Sequence, residues 1–120
     1  EWVQYSKDRK ADVYPIYQLG WFPDFSDADN YVAPFFVKNN FLANHYDSAQ
    51  VQDLVAKEAT EGDKAKREAL LKELQGVLAT DLSTLPLLQG KQFAVSAKAV
   101  KGAGDTLDAS FKFRLGALSK

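Results

Sequence analysis

The sequence predicts an α/β fold with a central strand, a two-helix hairpin and C-terminal strands. Val13–Trp21 is rich in β-branched and aromatic residues, which favour a strand. Residues 47–81 contain two stretches with apolar side chains at helical spacing, and Gly62 lies between them. The order of strand, helical hairpin and strands is typical of a mixed α/β fold.

The first third of the chain predicts three elements. Apolar side chains followed by charged ones over Glu1–Lys10 indicate the end of a helix. Pro15 has no N–H, so the strand Val13–Trp21 is expected to lie at a sheet edge or to be unpaired at that point. Asp29 is expected to cap a short helix over Asn30–Val37, although a proline lies inside it.

The helical hairpin has clear boundaries. Asp47 and Ser48 provide the cap of its first helix, Gly62 ends that helix, and Asp63 caps the second helix. Each helix carries one apolar stripe, which comprises Val51, Leu54, Val55 and Ala59 on the first helix and Leu70, Leu71, Leu74, Val77 and Leu78 on the second.

The last third predicts extended structure. Residues 83–100 contain two short extended runs around Gln89–Gly90, and residues 101–105 form a turn. Residues 109–118 are expected to form a final strand that places Phe111, Phe113 and Leu115 on one face.

Composition excludes several classes of protein. The net charge is −1, from 15 basic and 16 acidic side chains without a basic stripe, so nucleic-acid binding is not expected. Cysteine is absent, which excludes a disulfide framework, a thiolate metal site and a cysteine nucleophile. No apolar run approaches the roughly 18 residues of a membrane span. The chain starts at Glu1 instead of methionine, so we expect a processed or excised piece whose missing export signal is uninformative.

The stretch GWFPDFSDADNY (20–31) concentrates carboxylates and aromatic rings. A calcium loop that starts at Asp27 would need oxygen ligands where the sequence has Tyr31 and Lys38, so metal binding is not expected. Asp24 and Asp27 on one loop rarely face each other across a substrate, as a catalytic pair must. His45 has no serine elbow or metal spacing near it, so neither an enzyme nor a cofactor is expected.

A solvated turn explains Asp27 and Asp29, because aspartates favour turns through local backbone hydrogen bonds. Asp24 differs because Trp21 and two phenylalanines are its close neighbours in sequence. A carboxylate among aromatic rings is costly to bury unless a cation or several donors meet it. Asp24 therefore suits either an ammonium ligand or, as the alternative, a solvated turn.

These residues resemble a known family. GWFPDFSDADNY is similar to the W-x-x-D-[YF]-x-D-P-x-N signature of family 5 extracellular solute-binding proteins, the peptide- and nickel-type receptors of ABC importers. Residues 1–21 look like the helix end and strand that lead into that motif. Residues 45–90 and the short KAVKG segment (98–102) resemble the stretches that follow it, so the resemblance covers essentially the whole chain.

The resemblance implies a two-lobed fold of the periplasmic-binding-protein type (type II), of which this chain is the C-terminal portion. Residues 1–88 would end the ligand-binding lobe, and residues 89–120 would return to the other lobe, with the crossing near Leu85–Phe93. Such a receptor closes around a short peptide and delivers it to an ABC permease complex in the membrane. It lies in the periplasm or on the extracellular face of the cell membrane, where Gram-positive bacteria anchor it by lipid.

The resemblance also implies roles for individual residues. Asp24 matches the aspartate that pairs with the α-ammonium group of the peptide, and Trp21 matches the tryptophan that walls the pocket. Phe22 is grouped with them as a ligand-binding residue. Arg9 falls on an arginine position near the carboxylate end of the ligand, with a solvated surface arginine as the alternative. Gln18 replaces an arginine of some peptide binders, which leaves carboxylate recognition open.

Other functions remain open from the sequence. The family also includes receptors for oligosaccharides and nickel complexes, and the aromatic side chains of residues 21–31 could stack on sugars. With one histidine and no cysteine, direct nickel coordination by this segment is not expected. A different class would be an autonomous small α/β domain, such as an adaptor or an enzyme module, that shares only local patterns.

Overall fold

The computed structural model describes residues 1–108, 110, 112 and 114–120. Within that range the chain forms helices α1 (Trp2–Lys10), α2 (Ala33–Phe36), α3 (Ala49–Thr60) and α4 (Lys64–Asp81), together with 3₁₀ helices at Ala28–Tyr31 and Leu115–Ala117.

The predicted α/β fold is wrong. The regular elements of the described residues are all helices, and these residues contain no sheet. An isolated antiparallel bridge joins Lys101 and Ser119, and each of these residues donates its N–H to the carbonyl of the other, at 2.8 and 3.2 Å. β-Branched and aromatic composition, or apolar alternation, predicts strands in these segments, but a strand becomes stable only when other strands or a helix pack beside it.

The predicted central strand Val13–Trp21 is not a strand in the structure. Side-chain hydroxyls hold this segment in place of a backbone ladder. Tyr5 donates its hydroxyl to the carbonyl of Gln18 at 2.5 Å, and Tyr17 donates to the carbonyl of Leu42 at 2.6 Å. Residues 13–21 have β-favouring side chains but no neighbouring strand among the described residues. They therefore lie as an irregular segment against α1 and residues 40–42.

The predicted C-terminal strands are likewise wrong where the structure describes them. The runs on either side of Gln89–Gly90 carry no regular secondary structure, and their side chains are exposed to an unusual degree, with Leu88 at 96% and Val95 at 98%. Leu115 lies in a 3₁₀ helix. Phe111 and Phe113, which the final strand was expected to place on one face, lie outside the described residues. The turn at 101–105 is confirmed.

The helical hairpin is confirmed. The hydroxyl of Ser48 accepts the N–H of Val51 at 3.4 Å, and the carboxylate of Asp63 accepts the N–H of Lys66 at 2.9 Å. These bonds satisfy first-turn donors that have no partner inside the helix. α4 ends at Asp81, and the C-cap residue Leu82 adopts a left-handed conformation with φ of 50°.

The core lies between the two hairpin helices and the segment that precedes them. Its buried side chains come from Val32, Val51, Leu54, Val55 and Leu74, and Leu70, Leu71, Val77 and Leu78 of α4 pack around it. The stripe predicted on α3 is correct except at its end, where Glu58 is buried and Ala59 is exposed.

The predicted helix Asn30–Val37 is split in two. Asp27, and not Asp29, caps the 3₁₀ helix Ala28–Tyr31, since its carboxylate accepts the N–H of Asp29 at 2.8 Å. After the 3₁₀ helix, α2 begins as a separate helix with proline in its first turn, where the missing N–H removes no helical hydrogen bond. Both elements pack on α3, so the chain around residues 20–31 is seated on the hairpin.

The molecule is flat and open. Its principal extents are 52 × 44 × 21 Å and its radius of gyration is 17.8 Å, whereas a compact domain of this length has a radius of gyration of about 14 Å. Large apolar side chains outside the hairpin core are exposed, among them Trp2, Ile16, Leu85, Leu88, Phe93 and Val95. Such apolar surface is typical of a face that another polypeptide segment or molecule covers.

Candidate ligand-binding loop

The candidate ligand-binding loop is residues 20–31, and a buried asparagine organises it. The side-chain oxygen of Asn30 accepts the backbone N–H of Asp24 at 2.7 Å and the indole N–H of Trp21 at 3.3 Å. Asn30 is 6% exposed. One amide group therefore fixes the two residues that the sequence singled out for ligand binding, and the sequence alone did not identify Asn30 in this role.

Asp24 lies at the surface of this chain. Its backbone is held on both sides, because its N–H is bound by Asn30 and its carbonyl accepts the ammonium of Lys112 at 3.1 Å. The residue itself is exposed. The arrangement is a carboxylate on a fixed backbone, and burial of that carboxylate would require a further group to cover it.

Of the four aromatic residues of the loop, Trp21 packs against other rings, whereas Phe22, Phe25 and Tyr31 are exposed. The Trp21 indole meets the Phe35 ring edge-on with 5.0 Å between centroids, and lies tilted against the Phe41 ring at 5.4 Å. These are favourable aromatic geometries that orient the indole. Phe22 is 65% exposed. The structure therefore brings Trp21 and Asp24 together on one support and leaves Phe22 at the surface beside them.

Arg9 is not a solvated arginine, because it is only 2% exposed. Its guanidinium donates to the carbonyls of Phe41, at 3.0 Å, and Leu42. It also lies over the Tyr17 and Phe41 rings, at 5.6 and 5.4 Å from their centroids. Its Nε is buried without a partner. These contacts tie α1 to the 41–42 backbone, and carboxylate binding by Arg9 stays a prediction.

A charged cluster beneath the loop was missed by the sequence reasoning, which assigned Asp27 to a solvated turn. The guanidinium of Arg67 on α4 binds the carboxylate of Asp27 through two hydrogen bonds, of 2.6 and 2.9 Å. The same guanidinium contacts the carboxylate of Glu58 on α3 at 2.9 and 3.0 Å. We call Asp27, Glu58 and Arg67 the Arg67 cluster.

Within the cluster, the pKa of Asp27 is lowered, whereas the pKa values of Glu58 and Arg67 are raised. Hydrogen bonds from Arg67, and then from the N–H of Asp29, lower the pKa of Asp27 to about 2. Burial first, and the neighbouring Asp29 carboxyl second, raise the pKa of Glu58 against the opposing effect of Arg67. Hydrogen bonding to Asp27 raises the pKa of Arg67, which is therefore always charged.

The buried carboxylate of Glu58 requires a positively charged partner at this position. The side chain is 0% exposed, and its Oε1 atom is buried without a hydrogen-bond donor. A buried carboxylate is costly without a cation, and Arg67 supplies one. A signal was present in the sequence, since Glu58 follows Leu54 by four residues and Val55 by three and so extends the apolar stripe of α3.

Other chemistry is limited in the described part of the chain. His45 is exposed, as expected for a surface residue, and its Nε2 lies 2.7 Å from a carboxylate oxygen of Asp12. No group of three or more metal-binding side chains occurs among residues 1–108, 110, 112 and 114–120. A cleft of about 450 Å³ lies between α1 and residues 14–20, lined by Trp2 and Tyr5 among others, and does not include Asp24.

No helix within the described residues combines the length and the apolar character that crossing a bilayer requires.

Comparisons with known proteins give one informative similarity. Over 88 residues, which are 72% of this chain, the sequence is 30% identical to the oligopeptide-binding protein OppA of Bacillus subtilis strain 168. The chain spans 16% of the length of that relative. No protein-family profile matches the chain, and no solved structure matches it significantly. The similarity agrees with the resemblance drawn from the motifs: over most of its length, the chain is related to a segment of a peptide-binding protein and not to an enzyme.

Proposed function

We propose that the chain is part of an extracellular solute-binding receptor of an ABC importer, and that Asp24 anchors the ammonium group of a short peptide. Three observations support this proposal. The GWFPDFSDADNY stretch resembles the receptor signature except at Ala28, where the signature has proline. A relative is an oligopeptide-binding protein, and the structure holds Asp24 and Trp21 on one buried amide.

The Asn30 amide is the observation on which the proposal chiefly depends. A binding group contributes most when its position is fixed before the ligand arrives, because ordering then costs little on binding. Asn30 and Lys112 fix the backbone of Asp24, and the Trp21 indole is oriented beside it. A carboxylate on a rigid backbone next to an aromatic wall suits an α-ammonium group, which donates hydrogen bonds and has an apolar Cα behind it.

Ligand binding in this proposal requires a second lobe. An ion pair that stays exposed contributes only about 0–1 kcal/mol, and Asp24 is exposed in this chain. A lobe that closes over the peptide would exclude water from the pair, so that removing one partner would cost considerably more. Closure would follow from the ligand's contacts with both lobes, as in hinged receptors.

The C-terminal third supports the two-lobed arrangement. We propose that residues 1–88 belong to the ligand-binding lobe, and that residues 89–120 return to the other lobe. Leu85, Leu87, Phe93 and Val95 are exposed by two-thirds or more. Leu88 is exposed as well, and such contiguous apolar surface is typical of a face that another polypeptide segment covers. Delivery to a membrane permease, and a position on the outer face of the membrane with or without a lipid anchor, belong to the same proposal.

The test is calorimetry on the complete polypeptide that contains these 120 residues. Alanine peptides of two to five residues are titrated with free amino ends and with acetylated amino ends. We expect the free peptides to bind, and acetylation and Asp24→Asn each to weaken binding at least tenfold, equivalent to about 1.4 kcal/mol. Asp53→Asn, which removes the same charge from an exposed pair on α3, is the matched control and should leave affinity unchanged.

Two results would overturn the proposal. If none of the free peptides binds, the peptide receptor is wrong. If free and acetylated peptides bind equally well and Asp24→Asn has no effect, then Asp24 is not the ammonium anchor. A ligand without an ammonium group, such as an oligosaccharide, would retain its affinity in Asp24→Asn, and the same variant therefore separates the two ligand classes.

A further inference from the structure

We propose that Arg67 is a positioning residue for the candidate ligand-binding loop: by binding Asp27 it holds the turn on which Asn30, Trp21 and Asp24 are arranged. The effect of Arg67 on ligand affinity rests on the proposed function, whereas its effect on the loop does not. The proposal assigns a role in the receptor to a helix residue that does not itself contact the loop's Asp24.

The first step is the bidentate ion pair between Arg67 and Asp27. Two parallel hydrogen bonds, Nη2 to Oδ1 at 2.6 Å and Nη1 to Oδ2 at 2.9 Å, join the two side chains. A bidentate pair fixes orientation as well as distance, because both planar groups must align. The pair spans 40 residues of sequence, so it connects the loop to α4 directly and not through the chain between them.

The second step fixes the guanidinium itself. Arg67 Nε donates to both the backbone carbonyl and the carboxylate of Glu58, at 3.1 and 3.0 Å. Glu58 is buried in α3. Arg67 therefore has little freedom to follow Asp27 if the loop moves, and the hairpin serves as the fixed support.

The third step is a series of hydrogen bonds that connects Asp27 to Asp24. The Asp27 carboxylate accepts the N–H of Asp29 at 2.8 Å, and its carbonyl accepts the N–H of Asn30 at 3.2 Å. Asn30 in turn accepts the N–H groups of Asp24 and Trp21. Each link is a hydrogen bond between a residue and its neighbour in the series, so the connection from α4 to the candidate site is continuous.

Apolar packing, which does not depend on the Asp27–Arg67 pair, holds the two hairpin helices together alongside the Arg67–Glu58 contact. Their contact is formed by Val51, Leu54, Val55 and Leu74, which are 0–6% exposed. The Arg67 and Asp27 side chains are 28% and 36% exposed, and their pairing adds the loop to a support that is already packed. Loss of the pair is therefore expected to free the loop while the helices remain.

The experiment uses the complete polypeptide with Arg67→Gln, Arg67→Lys, Asp27→Asn and the double variant Asp27→Asn/Arg67→Gln. Lys66→Gln, which removes an exposed positive charge one residue away on α4, is the matched control. Far-UV circular dichroism checks that helix content is retained. The ligand-free measurement is the hydrogen-exchange rate of the Trp21 indole N–H by NMR with ¹⁵N-tryptophan labelling, assigned with Trp21→Phe. The ligand measurement is calorimetry with trialanine.

We expect Arg67→Gln and Asp27→Asn each to speed indole exchange and to weaken trialanine binding about five- to thirtyfold. Arg67→Gln also removes the cation beside Glu58, so the diagnostic result is non-additivity: the double variant should be no worse than Arg67→Gln alone, because the Asp27–Arg67 pair is already broken. Arg67→Lys keeps the positive charge but cannot form the bidentate hydrogen bonds, so its indole exchange rate and trialanine affinity should be intermediate. Lys66→Gln should behave as wild type. If Arg67→Gln fails to retain its helices, Arg67→Lys and Asp27→Asn decide the question.

Three results have defined meanings. Unchanged indole exchange in Arg67→Gln and Asp27→Asn overturns the positioning role. Independent effects that add in the double variant also overturn it, since Arg67 would then act by another route. If wild type does not bind trialanine, the proposed function loses its support, and the positioning role is judged by indole exchange alone: faster exchange in both single variants supports it.

Discussion

The Arg67 cluster makes a specific prediction about stability and pH, because it contains two carboxyl groups with opposite pKa shifts. The pKa of Asp27 falls from 3.8 to about 2 in the folded chain. A group with a lowered folded pKa stabilises the folded state above its unfolded pKa and loses that contribution as pH falls through the folded pKa. The contribution of Asp27 is therefore complete above about pH 4 and disappears towards pH 2.

The magnitude follows from the same shift. A change of one pKa unit corresponds to about 1.4 kcal/mol, so the shift of Asp27 corresponds to about 2 kcal/mol before solvent screening. The Asp27 side chain is 36% exposed, and screening at such a site reduces the value to about 1 kcal/mol. Asn resembles protonated Asp in shape and charge, so Asp27→Asn should cost this amount near pH 6 and only a small fraction of it at pH 2, where the contribution of Asp27 is being lost.

Glu58 produces the opposite dependence. Its folded pKa is raised, above all by burial, so its contribution is complete below its unfolded pKa and is lost as pH rises through the folded pKa. Glu58→Gln keeps an acceptor for Arg67 and adds an amide donor towards Asp29. Relative to wild type, this variant should therefore become more stable as pH rises above the ordinary range of a glutamate.

The assay is urea denaturation of the chain, followed by circular dichroism, at intervals from pH 2 to pH 8. Differences between wild type and each variant are compared, since other carboxyl groups with lowered pKa values, such as Asp47, affect every profile equally. Asp53→Asn, in an exposed pair with Lys57, is the control and should show a small difference at every pH. A wild-type to Asp27→Asn difference that is the same at pH 6 and pH 2 would refute the pairing with Arg67.

Three further predictions concern the core, the end of α4 and the loop. Leu74→Ala removes a fully buried side chain and should lower the free energy of unfolding by about 2–5 kcal/mol in urea denaturation; a loss below 1 kcal/mol would contradict the core. Leu82→Gly relieves the strain of a left-handed conformation at an exposed position. It should raise the free energy of unfolding by about 1 kcal/mol, which is measured as a higher thermal midpoint. Asn30→Ala should weaken trialanine binding about tenfold by freeing Asp24 and Trp21. Asn39→Gly is the control, because Asn39 is an exposed loop residue with φ of 58° that glycine tolerates, and it should show no change in calorimetry.

The helical part of the fold was predictable because its signals are local. Ser48 and Asp63 cap the helices they were expected to cap, and the apolar stripe of α4 meets that of α3 around Leu74. A cap acts within three residues and a stripe within one helix, so both can be read without knowing what lies elsewhere. The wrong cap at Asp29 has an equally local cause, since the proline within α2 forces the helix to restart.

The strand predictions failed because a strand is defined by its neighbours. Val13–Trp21 and residues 85–97 have the composition or alternation of strands, yet no described segment runs beside them to form a ladder. Their backbones are instead held by tyrosine hydroxyls or left exposed. The pairing that such segments require can come from outside the 120 residues, and a sequence pattern does not state whether the partner is present.

The candidate site divides in the same way. Trp21 and Asp24 were predicted from a motif, and the structure places both on Asn30, while the roles assigned to Arg9 and Phe22 stay predictions. The Arg67 cluster was not predicted, because its members lie 27, 58 and 67 residues along the chain and meet only after the loop packs on the hairpin. Of its members, only Glu58 carried a local sign, as a charged residue on an apolar stripe.

Taken by itself, the sequence determined the helical hairpin with its caps, the absence of cysteine chemistry, and the aromatic and acidic loop that resembles a receptor motif. Tertiary structure alone decided that the extended segments form no sheet where the structure describes them, that Arg9 is buried against backbone carbonyls, and that Arg67 joins Asp27 to Glu58. The physical reason is distance along the chain. Caps and stripes depend on residues a few positions apart, whereas strand pairing and buried ion pairs depend on residues tens of positions apart, whose meeting is settled by packing.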